Sequence, residues 1–127
     1  MATSVKQMIE LANAAVPKIT SAQAKDMIAQ GNTLVVDVRD GSEVAASGKI
    51  AGALHVSRGL LEFKADPQAP TCDKNFSQEK TIILYCGSGG RAALAGKLLK
   101  DFGYEKVFNM GGFKDWADSG GPIEQGP

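Results

Sequence analysis

Cys86 stands directly before Gly87-Ser88-Gly89-Gly90-Arg91 and directly after the apolar, β-branched run Thr81 to Tyr85 (TIILY). Three glycines in four positions let a loop curl tightly and turn its backbone N–H groups inward. A helix from Ala92 adds unpaired N–H groups and the positive end of its dipole. Arg91 brings a permanent charge to the same helix end. Each of these favours an anion over a neutral group, so the pattern predicts an acidified, nucleophilic thiol. A lone cysteine at a strand end is more often an inert core residue; loop, helix start and arginine together outweigh that reading.

The spacing narrows the chemistry. Cys86 and Arg91 enclose four residues, a small ring suited to one terminal sulfur atom held by several N–H donors. Cysteine phosphatases separate the two by one residue more, to surround a whole phosphate, and this cradle is expected to be too tight for that. Gly87-x-Gly89-x-x-Ala92 also satisfies a dinucleotide-binding pattern in form. That pattern needs a carboxylate about twenty positions on, where this chain has Val107-Phe108-Asn109-Met110. It is discarded.

The elements that must hold this loop follow from periodicity. Val5, Met8, Ile9 and Ala12 share one helical face, giving a helix over about 4–15. Thr20 with Gln23 reads as a capping box, Ala24, Met27 and Ile28 as the stripe of the next helix, and Gly31 as its stop. Thr33 to Val38 is a buried strand, Gly52 to Val56 a weaker one, and Arg58 to Lys64 a short helix. Ala65 to Glu79 reads as a surface loop. Thr81 to Tyr85 is a strand, Leu94, Ala95, Leu98 and Phe102 line a helix that Gly103 closes, Lys106 to Asn109 is a strand, and Phe113 to Ala117 a helical turn. Gly120 to Pro127 is expected to fray. Strands alternating with helices imply one α/β domain over 1–127, with a mostly parallel sheet and helices on both faces. In such sheets ligands bind outside the carboxyl ends of the strands.

Composition removes other classes. Fourteen acidic and fourteen basic residues balance, so no global field draws nucleic acid or an anionic membrane. No apolar stretch is long enough to span a bilayer, and the N-terminus lacks a signal-peptide core, which points to the cytoplasm. With two cysteines and one histidine, no close-spaced ligand cluster suggests a metal.

Four segments resemble the rhodanese family: Asp37-Val38-Arg39-Asp40, Gly48 to Val56 (GKIAGALHV), Cys86 to Arg91, and Gly111-Gly112-Phe113-Lys114-Asp115-Trp116. Their order matches the family and brackets roughly 20–120. The resemblance implies a five-stranded parallel sheet flanked by helices, with a domain core over about 18–119. It also implies a persulfide on Cys86, no cofactor, and sulfur transfer rather than phosphate hydrolysis. The expected donor is a small sulfur-containing anion such as thiosulfate; the acceptor is cyanide, a small thiol or a protein thiol. Ser88, Gly89, Gly90 and Arg91 would donate to the persulfide and the leaving group, with Gly87 in the same loop. Because Arg91 is expected to act electrostatically, Arg91→Lys should retain more activity than Arg91→Ala.

Asp37 and Arg39 either buttress the loop or form an ordinary ion pair. His55 is read as framework rather than general base, and Trp116 as core. Arg58 is a candidate for binding an anionic donor. Cys72 is read as a spare thiol, or else as a resolving partner for oxidised Cys86. Two other functions stay open: a persulfide-delivery module with weak turnover, and a redox sensor using Cys72 and Cys86.

Overall fold

A computed structural model describes residues 2–125 of the chain. Helix α1 (Val5–Ala15) opens on a capping box, in which Ser4 Oγ accepts from the Gln7 N–H and Gln7 Oε1 from the Ser4 N–H. Of its expected apolar stripe only Ala12 is buried; Val5 and Met8 face solvent. Helix α2 (Ser21–Gln30) has the Thr20–Gln23 box and stops at Gly31, whose φ of 86° is a left-handed value. Strand β1 (Thr33–Asp37) leads to α3 (Gly41–Ser47), a helix with no apolar stripe to announce it. The short strands β2 (Lys49–Ile50) and β3 (Leu54–His55) follow, then a 3₁₀ turn at Arg58–Leu60 that runs into α4 (Leu61–Ala65). Strand β4 (Thr81–Cys86), α5 (Gly90–Asp101), β5 (Val107–Gly112), α6 (Phe113–Asp118) and β6 (Ile123–Glu124) complete the order.

The sheet has four strands, β3-β1-β4-β5, all parallel. This corrects the expected five. In place of a fifth strand, Lys18 makes a single bridge to Asn109 at the β5 edge. Ile19 N–H donates to Asn109 O and Asn109 N–H to Pro17 O, each at 3.0 Å. Pro17 cannot donate to a ladder, which limits this edge to one bridge.

The tail is also corrected. Ile123 and Glu124, expected to fray, pair antiparallel with Ile50 and Lys49 as β6 on β2, and Glu124 accepts from Lys49 Nζ and the Gly52 N–H. Gly126 and Pro127, part of the same expectation, lie outside the described residues.

Side chains alternate across the sheet as a period of two requires. Leu34, Val36, Ile82, Leu84 and Cys86 face α4 and α5, while Val35, Ile83 and Tyr85 face α2 and α6. Helix α1 packs outside α5, where Gly96 lets Val16 approach: a Cβ there would sit 2.8 Å from a Val16 methyl.

Candidate active site

Cys86 is the last residue of β4 and is 1% exposed. The chain turns straight from it into α5, and the turn carries the chemistry. Gly89 takes φ 104°, a value that glycine alone adopts freely. In that conformation its N–H donates to Cys86 Sγ at 3.0 Å. Of the expected loop donors, Gly89 is the one bonded to the sulfur; Ser88 and Gly90 border a cleft beside it.

Strand β5 forms the wall on which the loop leans. Its register shifts opposite Leu84 and Tyr85, so that Asn109 pairs with Leu84 and Gly111 with Tyr85. Met110 is therefore an extra residue, a β-bulge that re-aims the strand end. Gly112 then stands beside Cys86, where a Cβ would lie 2.6 Å from Gly87 O. Asn109, 3% exposed, braces the loop: its Nδ2 donates to Gly89 O at 3.1 Å and its Oδ1 accepts from the Gly111 N–H at 2.8 Å. Strand β5 thus lies against the cradle at both Gly87 and Gly89, and the cradle cannot widen on that side without moving β5.

Arg91, in the first turn of α5, holds Glu43 of α3 through two bonds, Nη1 to Oε1 at 2.6 Å and Nη2 to Oε2 at 3.0 Å. The Arg91 hydrogen bonds, helped by the Asp40 N–H and outweighing burial, push the Glu43 carboxyl down to about 2. The same pairing, together with the negative charge available at Cys86, raises Arg91. Arg91 also lies against Gly87: its Nη2 is 3.1 Å from where a Gly87 Cβ would be. So the arginine sits at the loop as expected, but fork to fork with a carboxylate.

Glu43 and Asn109 are the residues that sequence reading missed. Glu43 had a faint signal, since Asp40-x-x-Glu43 is a capping-box spacing, and the Asp40 N–H does donate to its Oε1. Asn109 had none.

Asp37 and Arg39 form a buried ion pair, with Nη2 to Oδ2 at 2.7 Å. Arg39 also donates to Gly48 O and Ser47 Oγ and stacks over Phe113, 4.3 Å from its ring centre. Their hydrogen bonds go to each other and to the α3 end, not to the loop; Tyr85, next to Cys86, is the neighbour that links them to it. The Tyr85 hydroxyl accepts from the Ile50 N–H and is raised by burial and by Asp37.

The Arg58 guanidinium pairs with Glu62 at 3.0 Å and lines a groove with Met8, Leu11, Leu94 and Leu98; it is not among the residues that line the cleft beside the loop. His55 is bonded through Nε2 to Arg39 O at 2.7 Å, and Trp116 is buried with its Nε1 on Pro122 O.

Cys72 and Cys86 are both free thiols. Cys72 neighbours Asp73, Asp66 and Tyr104; burial and then those two carboxylates push it up. Cys86 instead neighbours Gly89 and Arg91.

Among the described residues, no group of three or more His, Cys, Asp and Glu is placed to hold a metal ion, and no helix is long and apolar enough to cross a membrane.

The profile of the rhodanese-like domain matches residues 20–119. The chain is 34% identical over 111 residues to the thiosulfate sulfurtransferase GlpE of Haemophilus influenzae, covering 84% of this chain and 93% of that one. It is 27% identical over 112 residues to the human thiosulfate:glutathione sulfurtransferase, covering 83% and 96%. A solved structure from Rhodopseudomonas palustris, of unknown function and described as a possible tyrosine phosphatase, superposes with a TM-score of 0.90 at 38% identity, over 98% of this chain and 96% of that one.

Proposed function

This chain belongs to the rhodanese-like domain family, and on that footing we propose that it is a sulfurtransferase working through a persulfide on Cys86. The observation that carries the reading is the tight turn that sets the Gly89 N–H on Cys86 Sγ at 3.0 Å. The Cys86 thiolate attacks the outer sulfur of a donor such as thiosulfate. The donor's S–S bond breaks, its electron pair leaves on sulfite, and the outer sulfur stays on Cys86. Backbone N–H groups of the turn stabilise the charge, and Arg91, paired with Glu43, adds a weaker field. An acceptor thiolate, or cyanide in an assay, then attacks the terminal sulfur and returns Cys86 to the thiolate. Two separate half-reactions predict ping-pong kinetics.

The wall formed by Gly111 and Gly112 supports a one-sulfur cradle over a phosphate cradle. The description of the Rhodopseudomonas palustris relative makes phosphoryl transfer the second reading. The cytoplasm is the proposed compartment, where a reducing poise keeps both cysteines as thiols.

Intact-protein mass spectrometry after thiosulfate tests the reading. The expected result is a gain of one sulfur that Cys86→Ser abolishes. No adduct from any sulfane donor, with aryl phosphate hydrolysis that depends on Cys86, would replace sulfur transfer by phosphatase action.

A further inference from the structure

A cleft of about 280 Å³ opens on the side of the loop turned toward α1. Its floor is Ser88, Gly89 and Gly90 with the bulged part of β5, Asn109 to Gly111; its far wall is Ile9, Asn13, Lys18 and Ile19. That wall lies wholly before residue 20, where the match to the domain family begins. It is fixed in place from both ends. Ile9 reaches the loop, its Cδ1 lying 3.7 Å from where a Gly90 Cβ would be. Lys18 is pinned by the two backbone bonds between Asn109 and its neighbours Pro17 and Ile19.

The chemistry of the lining is lopsided. It holds one cation, Lys18, and no carboxylate. The Lys18 ammonium is exposed and makes no ion pair among the described residues, although six such pairs form elsewhere. Asn13, Asn109 and Ser88 add uncharged polar groups, and Ile9, Ile19 and Met110 apolar surface. The volume lies at the small end of ligand sites. Gly89 belongs both to the cleft floor and to the turn that touches Cys86 Sγ.

We infer that this cleft is the subsite for the second substrate, and that it takes a small thiol carrying a carboxylate. This rests on the proposed sulfurtransferase reading. The carboxylate lies on Lys18, the short apolar stem on Ile9 and Ile19, and the thiol end reaches over Gly89 to the persulfide. Its thiolate forms a bond to the terminal sulfur, the bond from that sulfur to Cys86 Sγ breaks, and the electron pair returns to Sγ. The acceptor leaves as a persulfide, and no outside oxidant or reductant is consumed.

Two measurements on the full chain test this. In the first, the thiosulfate-loaded protein transfers sulfur to 3-mercaptopropionate or to the neutral 2-mercaptoethanol. The readout is the ratio of the two kcat/KM values, which cancels general damage. It should fall about fivefold in Lys18→Gln, as for loss of one exposed ion pair, and further in Lys18→Glu, where attraction becomes repulsion. In the second, 3-mercaptopropionate is titrated into Cys86→Ser, where no persulfide can form, and the amide resonances of Ser88, Gly89 and Gly111 are followed. They should move saturably and stop doing so when Lys18→Glu is added. A ratio indifferent to both Lys18 changes, or no saturable shift, overturns the subsite even if Cys86 takes up sulfur. Saturable binding without any persulfide would instead overturn sulfur transfer and leave the anion site standing.

Discussion

Replacing Glu43 by Gln keeps the side chain's shape and removes its charge. In the native protein Glu43 accepts two bonds from Arg91 and one from the Asp40 N–H, and its carboxyl is held at about 2 rather than the ordinary 4.5. A depression of that size corresponds nominally to about 3 kcal/mol of stability. The two side chains, however, are 38% and 37% exposed, and solvent screening reduces the figure to about 1 kcal/mol. For a domain of this length that lowers the melting temperature by about 4 °C. The pH dependence has a definite sign. The folded protein holds the Glu43 proton less readily than the unfolded chain, so the contribution is complete above about pH 4.5 and disappears as pH falls toward 2. Wild type and Glu43→Gln should therefore differ at pH 7 and converge by pH 3, where more than half of the effect has gone. Thermal unfolding followed by circular dichroism at the two pH values measures this. Equal melting temperatures at pH 7, or a gap undiminished at pH 3, would refute the assignment of Glu43 as a charged partner of Arg91.

Gly112→Ala places a Cβ 2.6 Å from Gly87 O; it should cost about 1–3 kcal/mol and displace the loop enough to abolish sulfur uptake by mass spectrometry, and full uptake would show that the wall does not constrain the cradle. Asn109→Ala removes both braces of the loop, leaving Gly89 O and the Gly111 N–H without their partners. It should cost about 2 kcal/mol and speed hydrogen exchange at Gly89 and Gly111 more than in β4, whereas uniform exchange would mean that Asn109 serves the fold alone. Arg39→Met strands the carboxylate of Asp37, which is fully buried; urea unfolding should show a loss of about 3–5 kcal/mol, partly restored by adding Asp37→Leu, and a loss under about 1 kcal/mol would contradict the buried pair.

The parts of the fold legible in the sequence are those whose signal is local. The Thr20–Gln23 capping box, the glycine stop at Gly31 and the apolar runs of β1 and β4 each sit within a few residues of the structure they specify. So does the Cys86 turn, because its glycines are contiguous. The illegible parts depend on partners far along the chain. Glu43 meets Arg91 across 48 residues, and Asn109 meets Gly89 across 20. Strand β6 has both residues exposed, so no alternation marks it, and Gly120-Gly121-Pro122 reads as a loop in any local window. Extending β5 through Gly111 and Gly112 runs against strand propensity; what selects glycine there is the approach of the Gly87 carbonyl. The partner of Arg58, by contrast, is local: Glu62 takes its guanidinium at i,i+4 spacing.

The bulged end of β5 also bears on how the protein comes into being. The strands of the main sheet join their neighbours through crossovers, since none is an antiparallel hairpin, so pairing is non-local and comparatively slow. A chain made from its N-terminus offers Cys86 well before Asn109, Gly111 and Gly112 are available to brace its loop. Until they dock, that cysteine stands at the end of a strand with no wall to shape its loop. The loop is therefore completed only when a segment that follows it in the chain has docked, so the wall that shapes the turn arrives after the cysteine itself.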